Sequence, residues 1–574
     1  MSERRIGVYI CHCGGNISDY VDVNEVREAV KDVPGVVHAA TSMFACSDGT
    51  QQDMIRDIQE KDLDGLVVAS CSPKLHLFTF RGVSKRAGLN QFQYTQANIR
   101  EQCSWAHTDD HAGATTKAIG LVKGAIAKTR ESVALDPMAV ETTPTTLVVG
   151  AGIAGLRAAL GLADLGLSVV IVERESELGG WVGRFAATFP HQSDGRELIA
   201  GLVQEVQGRS SITVFTNAQL TAKSGSFGNY DAEVTIQSDP PRVIHRQVGS
   251  IVVTTGFDAY EPEAGEFGYG IDGVLTLAQF KSLVDNSEGP LIYHDRPVRT
   301  VAYIYCVGSR QSGANEYCSK YCCTATVHAS LQVNALDSSV HQYHLYRDIR
   351  TYGKYELLYE QSRKQGSVFM KFPDDTPPAV ARNDDGTLSV TTRDTLTTGA
   401  ELTIPADLVV LVTAMVPADN AELTKMLHLP VGSDGFFSEI HPKLRPVETV
   451  VDGVMIAGAC QGPKTSGESV ASALAAVAQS GAMLMKGVAE LDPLVCSVHE
   501  ETCTGCAECI AVCPYAAISM VEVDGRSVAT IDAAGCKGCG GCTSYCRENA
   551  IDLFGATDAQ MHAMIENLLE ETPV

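Results

Sequence analysis

The run Leu147-Val-Val-Gly150-Ala-Gly152-Ile153-Ala154-Gly155 reads as a strand that turns through G-x-G-x-x-G into a helix. An Ala/Leu-rich stretch follows, and then a second strand, Leu167-Ser-Val-Val-Ile-Val-Glu173, ends on an acid with Arg174 beside it. A lone G-x-G-x-x-G is a weak signal, but strand, glycine turn, helix and acid about twenty residues on make the full dinucleotide fingerprint. The glycines let the backbone approach a pyrophosphate at the helix N-terminus, and Glu173 is placed to accept from a ribose hydroxyl. The middle of the chain is therefore expected to be α/β with Rossmann-type βαβ units.

Working outward, Glu177-Leu-Gly179-Gly180-Trp181-Val-Gly183-Arg184 resembles the second glycine motif of the thioredoxin-reductase-like flavoproteins. Val252-Val-Thr-Thr255-Gly256 and Asp452-Gly-Val-Met-Ile-Ala-Gly458-Ala459 resemble two later runs of that fold. The resemblance implies FAD as the dinucleotide. Ala459 stands where those proteins carry an aspartate, so their carboxylate contact to the flavin side is not expected here. In two-dinucleotide flavoproteins a second G-x-G-x-x-G binds NAD(P)H. The corresponding strand here, Thr300 to Tyr305, runs into Cys306-Val-Gly-Ser-Arg310 and carries no such motif. Cys318, Cys322 and Cys323 follow shortly. A vicinal pair makes a strained disulfide, and four sulfurs in this position favour a [4Fe-4S] site beside the flavin.

The C-terminal region carries the most specific metal signal. Cys503, Cys506, Cys509 and Cys513-Pro514 form a C-x2-C-x2-C-x3-C-P run, and Cys536, Cys539, Cys542 and Cys546 repeat the spacing. In two-cluster ferredoxins the fourth cysteine of each run ligates the other cluster. Cys503, Cys506, Cys509 and Cys546 are thus expected to hold one cubane, and Cys536, Cys539, Cys542 and Cys513 the second. Cys546 is followed by Arg547 rather than proline, which alters a turn and removes no ligand. Cys496 lies outside both runs.

At the other end, apolar strand-like runs stop at cysteines: IGVYI (6–10) before Cys11 and Cys13, VVHAATSMFA (36–45) before Cys46, GLVVAS (65–70) before Cys71, and QFQYTQANI (91–99) ahead of Cys103. Ligands of open α/β sheets gather beyond the carboxyl ends of the strands. One further cluster is expected from Cys46, Cys71, Cys103 and either Cys11 or Cys13. The competing reading is that these are small buried hydrophobes.

A chain of 574 residues with 44 basic and 69 acidic side chains, a formal charge of −25, argues against nucleic acid and anionic membrane surfaces as partners. Nineteen cysteines without a secretory leader pattern point to metal ligation in a reducing, cytoplasmic setting. No apolar run approaches the roughly 18 residues of a spanning helix, so no direct membrane insertion is expected.

Taken together, CHCGGNI (11–17), ASCSP (69–73), NIREQCSW (98–105), YCVGSR (305–310), YCSKYCC (317–323), DIRTYGK (348–354) and IAGACQGPK (456–464) closely resemble the flavin-bearing A-type subunit of heterodisulfide reductase, over essentially the whole chain. That resemblance implies FAD, four [4Fe-4S] clusters and three segments. These are an iron–sulfur α/β domain (1–135), a thioredoxin-reductase-like FAD domain with its own cluster (136–493), and an α+β two-cluster ferredoxin domain with a C-terminal helix (494–574). It implies ligation of the flavin-side cluster by Cys306, Cys318, Cys322 and Cys323, and Lys354 and His344 as flavin-proximal residues. It further implies splitting or merging of electron pairs at FAD, B- and C-type partner subunits, a hydrogenase- or dehydrogenase-linked electron-input subunit, and ferredoxin as a possible further partner. Longer relatives carry an inserted ferredoxin module, yet no C-x2-C-x2-C run lies between Glu173 and Cys306. The alternative reading is a non-bifurcating electron-relay subunit of a related quinone-linked or benzoyl-CoA-reductase-linked complex, and a standalone NAD(P)H-dependent reductase is disfavoured by the missing second fingerprint.

Overall fold

The computed structural model describes residues 4–188, 193–397 and 399–569. The chain divides into two compact units, one formed by residues up to 140 together with those from 490 onward, the other by Glu141–Ala489.

In the first unit, four parallel strands run in the order Val36–Ser42, Ile6–Cys11, Gly65–Ser70, Tyr94–Asn98. Ile6–Cys11 and Gly65–Ser70 are buried along their whole length. Their unbroken apolar character is what a central parallel strand requires, since helices cover both faces. Asp22 caps the helix Val23–Val30 by accepting from Asn24 N and Glu25 N. The helix His111–Arg130 packs across the sheet and receives the terminal helix Asp558–Leu569, where Leu568 approaches Gly120 and Gly124. The ferredoxin portion is a pair of short antiparallel ribbons, Cys496–Val498 with Ile551–Leu553 and Ile518–Val523 with Arg526–Ile531. Arg81 Nη1 bonds Asp492 Oδ2 at 2.8 Å, so N- and C-terminal segments share one body. The expected division into three segments does not anticipate that sharing.

The second unit holds two five-stranded parallel sheets. The first has the order Val454–Ile456, Ser250–Val253, Thr145–Val149, Ser168–Val172, Ile212–Phe215. The second has the order Val274–Thr276, Leu408–Thr413, Thr300–Val307, His341–Tyr346, Val368–Lys371. The turn after Thr145–Val149 enters the helix Ile153–Asp164 so tightly that a Cβ at Gly155 would stand 1.9 Å from the Gly150 carbonyl oxygen. Only glycine there lets the helix close onto the strand. The helix Ser466–Leu484 opens with a reciprocal capping box between Thr465 and Glu468. No helix among the described residues is long and apolar enough to cross a membrane.

A dinucleotide cleft and clustered cysteines

The carboxyl ends of the first sheet open into a cleft of about 1000 Å³. Gly150, Gly152, Ile153, Ala154, Glu173, Arg174, Gly179, Gly180, Trp181, Thr255, Gly256 and Ala459 line it. The two glycine motifs meet there, since Gly179 N donates to Ala151 O at 2.8 Å and Gly152 bridges Gly179. Glu173 Oε2 accepts from Ala151 N at 2.6 Å, which fixes the carboxylate at the end of its strand while leaving lone pairs for a ribose. Thr255 Oγ1 is buried without a partner in the same cleft. An orphaned hydroxyl of this kind fits a polar ligand that supplies the missing bond. Trp181 is stacked between Phe185 and Phe257, and its indole N–H donates to Phe257 O at 3.1 Å. The expected dinucleotide residues are thus gathered around one space; Gly155 and Gly458 lie behind it as close-packing positions, and Gly183 flanks it. These residues would hold FAD.

The far wall comes from elements that sequence reading did not connect to the flavin: Lys281, Lys320, Tyr321, Thr324, Ala325, His328, Tyr352, Tyr355 and Lys464. Burial holds Lys281 and Lys464 below the usual lysine range, and Asp285 opposes the shift at Lys281. Burial also lowers His328 to about 4, leaving it a neutral imidazole. Lys320 pairs with Glu468.

Two expectations are corrected here. Lys354 is exposed and outside the cleft, although its neighbours Tyr352 and Tyr355 line the wall. His344 is fully buried in the second sheet. It is stacked on Tyr303 and Phe369 and hydrogen-bonded to Tyr305 Oη at 2.9 Å and Ser330 Oγ at 3.3 Å. Its strand lies inside the sheet, between Thr300–Val307 and Val368–Lys371, and its ring sits in packing, so it is a core histidine, with burial pushing its pKa to about 3.

Beside the cleft, Cys306, Cys318, Cys322 and Cys323 act on one another electrostatically. Cys322 and Cys323 share a hydrogen bond, so Cys322 retains a proton while Cys323 sheds its own more readily. They form the first turn of the helix Cys322–Leu336, and its N-cap residue, Tyr321, makes no side-chain cap. The free N–H groups of that turn and the positive helix end favour the negative charge of a thiolate-ligated cluster. Thr324, Ala325 and His328 of the same helix face the cleft.

In the N-terminal sheet, Cys11 interacts electrostatically with Cys13 and Cys46, Cys46 with Cys13, and Cys71 with Cys11 and Cys13. Cys11 Sγ accepts from Cys13 N and Ala45 N, both at 3.3 Å. Cys103 departs from expectation. It is fully buried in the core, where burial raises its thiol and Lys117, rather than another cysteine, is the charged group that acts on it. The turn Arg100–Ser104 carries its sulfur inward and sends Arg100 to the cysteine group instead.

In the ferredoxin portion, Cys513, Cys536, Cys539 and Cys542 line one small cavity. Cys509 interacts electrostatically with Cys506, Cys542 and Cys503, and Cys546 Sγ accepts from Ala550 N at 3.2 Å. Cys496 lines the cavity too and hydrogen-bonds the sulfurs of Cys542 and Cys536. Its place there follows from the β-pairing of Cys496 with Leu553, which cysteine spacing does not show.

Known families agree with this geometry. The FAD-dependent oxidoreductase family matches residues 145–303, and the 4Fe-4S dicluster domain matches residues 502–550. Fold and site define an FAD- and iron–sulfur-dependent oxidoreductase. Methanopyrus kandleri has two iron-sulfur A-type subunits of CoB–CoM heterodisulfide reductase, and the one numbered 2 is 35% identical over 92% of this chain and 92% of its own length. The A-type subunit of the H(2):CoB-CoM heterodisulfide,ferredoxin reductase of Methanothermobacter thermautotrophicus is 35% identical over 91% of each chain. The chain belongs to the family of heterodisulfide reductase A-type subunits. The M. kandleri protein numbered 1 aligns over 660 positions with 99% of this chain, so that relative carries segments that these 574 residues lack. Among solved structures, thioredoxin reductase of T. acidophilum covers 59% of this chain and 97% of its own, at 15% identity and a TM-score of 0.42.

Proposed function

We propose that this electron-transfer protein exchanges electron pairs at FAD and passes single electrons through four [4Fe-4S] clusters to partner subunits of a heterodisulfide-reductase-like complex. The observation that carries the reading is the helix Cys322–Leu336, which presents cysteines at its first turn and cleft residues on the next. From Cys322 to Ala325 the axial rise is only about 4.5 Å. A flavin takes up or releases two electrons together or singly, whereas a cubane carries one. The chain contributes position and charge: a stacked Trp181, neutral His328, and lysines at the far wall. One branch leads to the cluster held by Cys11, Cys13, Cys46 and Cys71, the other to the ferredoxin pair. B- and C-type subunits, an electron-input subunit linked to a hydrogenase or dehydrogenase, and ferredoxin are the proposed partners, in the cytoplasm. The names of the relatives, which mention heterodisulfide and ferredoxin, support this assignment.

One observation favours a second reading, a non-bifurcating relay. Neither the stretch from Glu173 to Cys306 nor the described fold contains the inserted ferredoxin module of longer relatives. EPR-monitored redox titration of the purified complex tests both. Crossed one-electron flavin potentials with clusters on either side support pair splitting. A single two-electron flavin step restricts the chain to relay.

A further inference from the structure

Two half-buried arginines stand beside the two single-cluster cysteine groups in matching settings. Arg100 is pinned by Glu101, Nη2 to Oε1 at 2.8 Å, and lies over the Trp105 ring at 4.5 Å. Its Nη1 donates to Cys13 Sγ at 3.5 Å, and its buried Nε has no partner. Arg310 is pinned by Asp348, Nη2 to Oδ2 at 2.7 Å, and its charge acts on the sulfurs of Cys306 and Cys323. Its buried Nη1 also has no partner. The side chains are only 15% and 18% exposed. The loop from Cys306 to Arg310 holds both residues in left-handed backbone, φ 63° and 57°. Such conformations persist where surrounding structure imposes them.

The ferredoxin portion contrasts with both. Between residues 494 and 569 ten acidic residues face three basic ones. Arg547 there is 82% exposed and pairs with Glu508 at 3.3 Å. Among the described residues from 494 onward, no buried side-chain polar atom lacks a partner. A buried guanidinium N–H without an acceptor is costly unless a ligand supplies one. Sulfurs of a cluster are such acceptors, and hydrogen bonds to them move the potential. The reduced cluster carries the greater negative charge, so a fixed donor favours reduction.

We propose that Arg100 and Arg310 are positioning residues that hydrogen-bond the clusters beside them and hold those clusters at higher potential than the ferredoxin pair. This rests on the reading that Cys11, Cys13, Cys46 and Cys71, and Cys306, Cys318, Cys322 and Cys323, each hold one cluster. Glu101 and Asp348 aim the guanidinium groups and offset part of their charge, and Lys371 adds to the second site through Asp348 at 3.0 Å.

The test uses the full chain, purified anaerobically with flavin and iron, as wild type and as Arg100→Gln, Arg310→Gln, Arg100→Lys and Arg310→Lys. Iron and flavin are counted, and each cluster is titrated by EPR. Each Gln variant is expected to keep its iron and to lower the reduced-to-oxidised ratio of its own cluster about tenfold at a given potential. For a one-electron couple that is about 59 mV. The ferredoxin clusters stay unmoved, and each Lys variant recovers part of the shift. An unchanged midpoint with full iron overturns the proposal. So does an equal shift of all clusters, and so does loss of iron in both the Gln and Lys variants, which would make the arginine a requirement for holding the cluster. A wild-type chain lacking these two clusters overturns the underlying ligand reading instead.

Discussion

Gly155→Ala tests the dinucleotide site with a clash whose size can be read from the structure. The new Cβ would lie 1.9 Å from the Gly150 carbonyl oxygen and 2.8 Å from Thr254 Oγ1, where ordinary contact begins near 3.4 Å. Neither atom is free to swing away. Thr254 Oγ1 is bonded to the carbonyls of Val149 at 3.0 Å and Gly150 at 2.8 Å, which ties the turn to two strands. Overpacking of a core usually costs about 1–3 kcal/mol, and with backbone as the obstructing atom the upper figure applies. If the turn keeps its shape, about 3 kcal/mol is lost from folding stability. If the turn opens to relieve the clash, the same amount is lost from FAD binding, about a hundredfold in Kd. FAD titration of the deflavinated chain and thermal unfolding of the same sample read the two together. Gly201→Ala, on the helix Gly195–Gln207 where nothing lies within 4 Å of the added methyl, is the control and is expected to be neutral or slightly stabilising. A Gly155→Ala chain with wild-type affinity and an unmoved Tm would refute the tight-turn reasoning.

Cys322→Ser should keep FAD, because the glycine turns lie elsewhere, yet slow electron exchange between flavin and the remaining clusters. Stopped-flow single turnover checks this, and a wild-type rate would make the cysteine set structural. Cys71→Ser should lower the iron count by about four, one cubane, whereas Cys103→Ser should leave it unchanged; elemental analysis decides. Cys496→Ser should retain all iron while moving the EPR signal of the cluster at Cys513, Cys536, Cys539 and Cys542, and loss of that cluster would make Cys496 a ligand. His344 and His328 are buried neutral, with pKa values lowered from 6.5 to about 3 and about 4. The unfolded chain binds those protons first, so stability is full above about pH 6.5 and falls as pH drops towards the folded-state values. His344→Gln should therefore flatten the loss between pH 6 and 4 by about 1.4 kcal/mol per pH unit, measured by denaturant unfolding; an unchanged slope would show that the imidazole is not held neutral.

The ferredoxin cysteines and the first glycine turn were legible because their chemistry is local. Three ligands of each cubane lie within seven residues of one another, and the strand, turn and helix of the fingerprint are contiguous. Short turns restrict the backbone enough that spacing alone predicts convergence. The flavin-side cysteines were legible for a related reason: Cys318, Cys322 and Cys323 sit close in sequence, and Cys306 ends a strand whose direction is readable.

Other features depend on distant pairings. Lys354 and His344 came from motif neighbourhood, but the cleft recruits Lys281, Lys320, His328 and Lys464 from elements that meet only when the second sheet packs beside the first. No local pattern marks such residues. Cys103 ends the same kind of run as its fellows, yet a single tight turn rotates its sulfur inward and turns Arg100 out in its place. Cys496 enters its cavity through a β-pair formed across more than fifty residues. The sharing of one body by the two chain ends depends on packing between the helices His111–Arg130 and Asp558–Leu569. Sequence by itself determined the cofactor classes, the fingerprint and the two cysteine runs, because bond geometry and backbone sterics act over a few residues. Tertiary structure alone decided which buried thiols face one another, which cations reach them and which side chains wall the flavin cleft, because those depend on burial and long-range pairing.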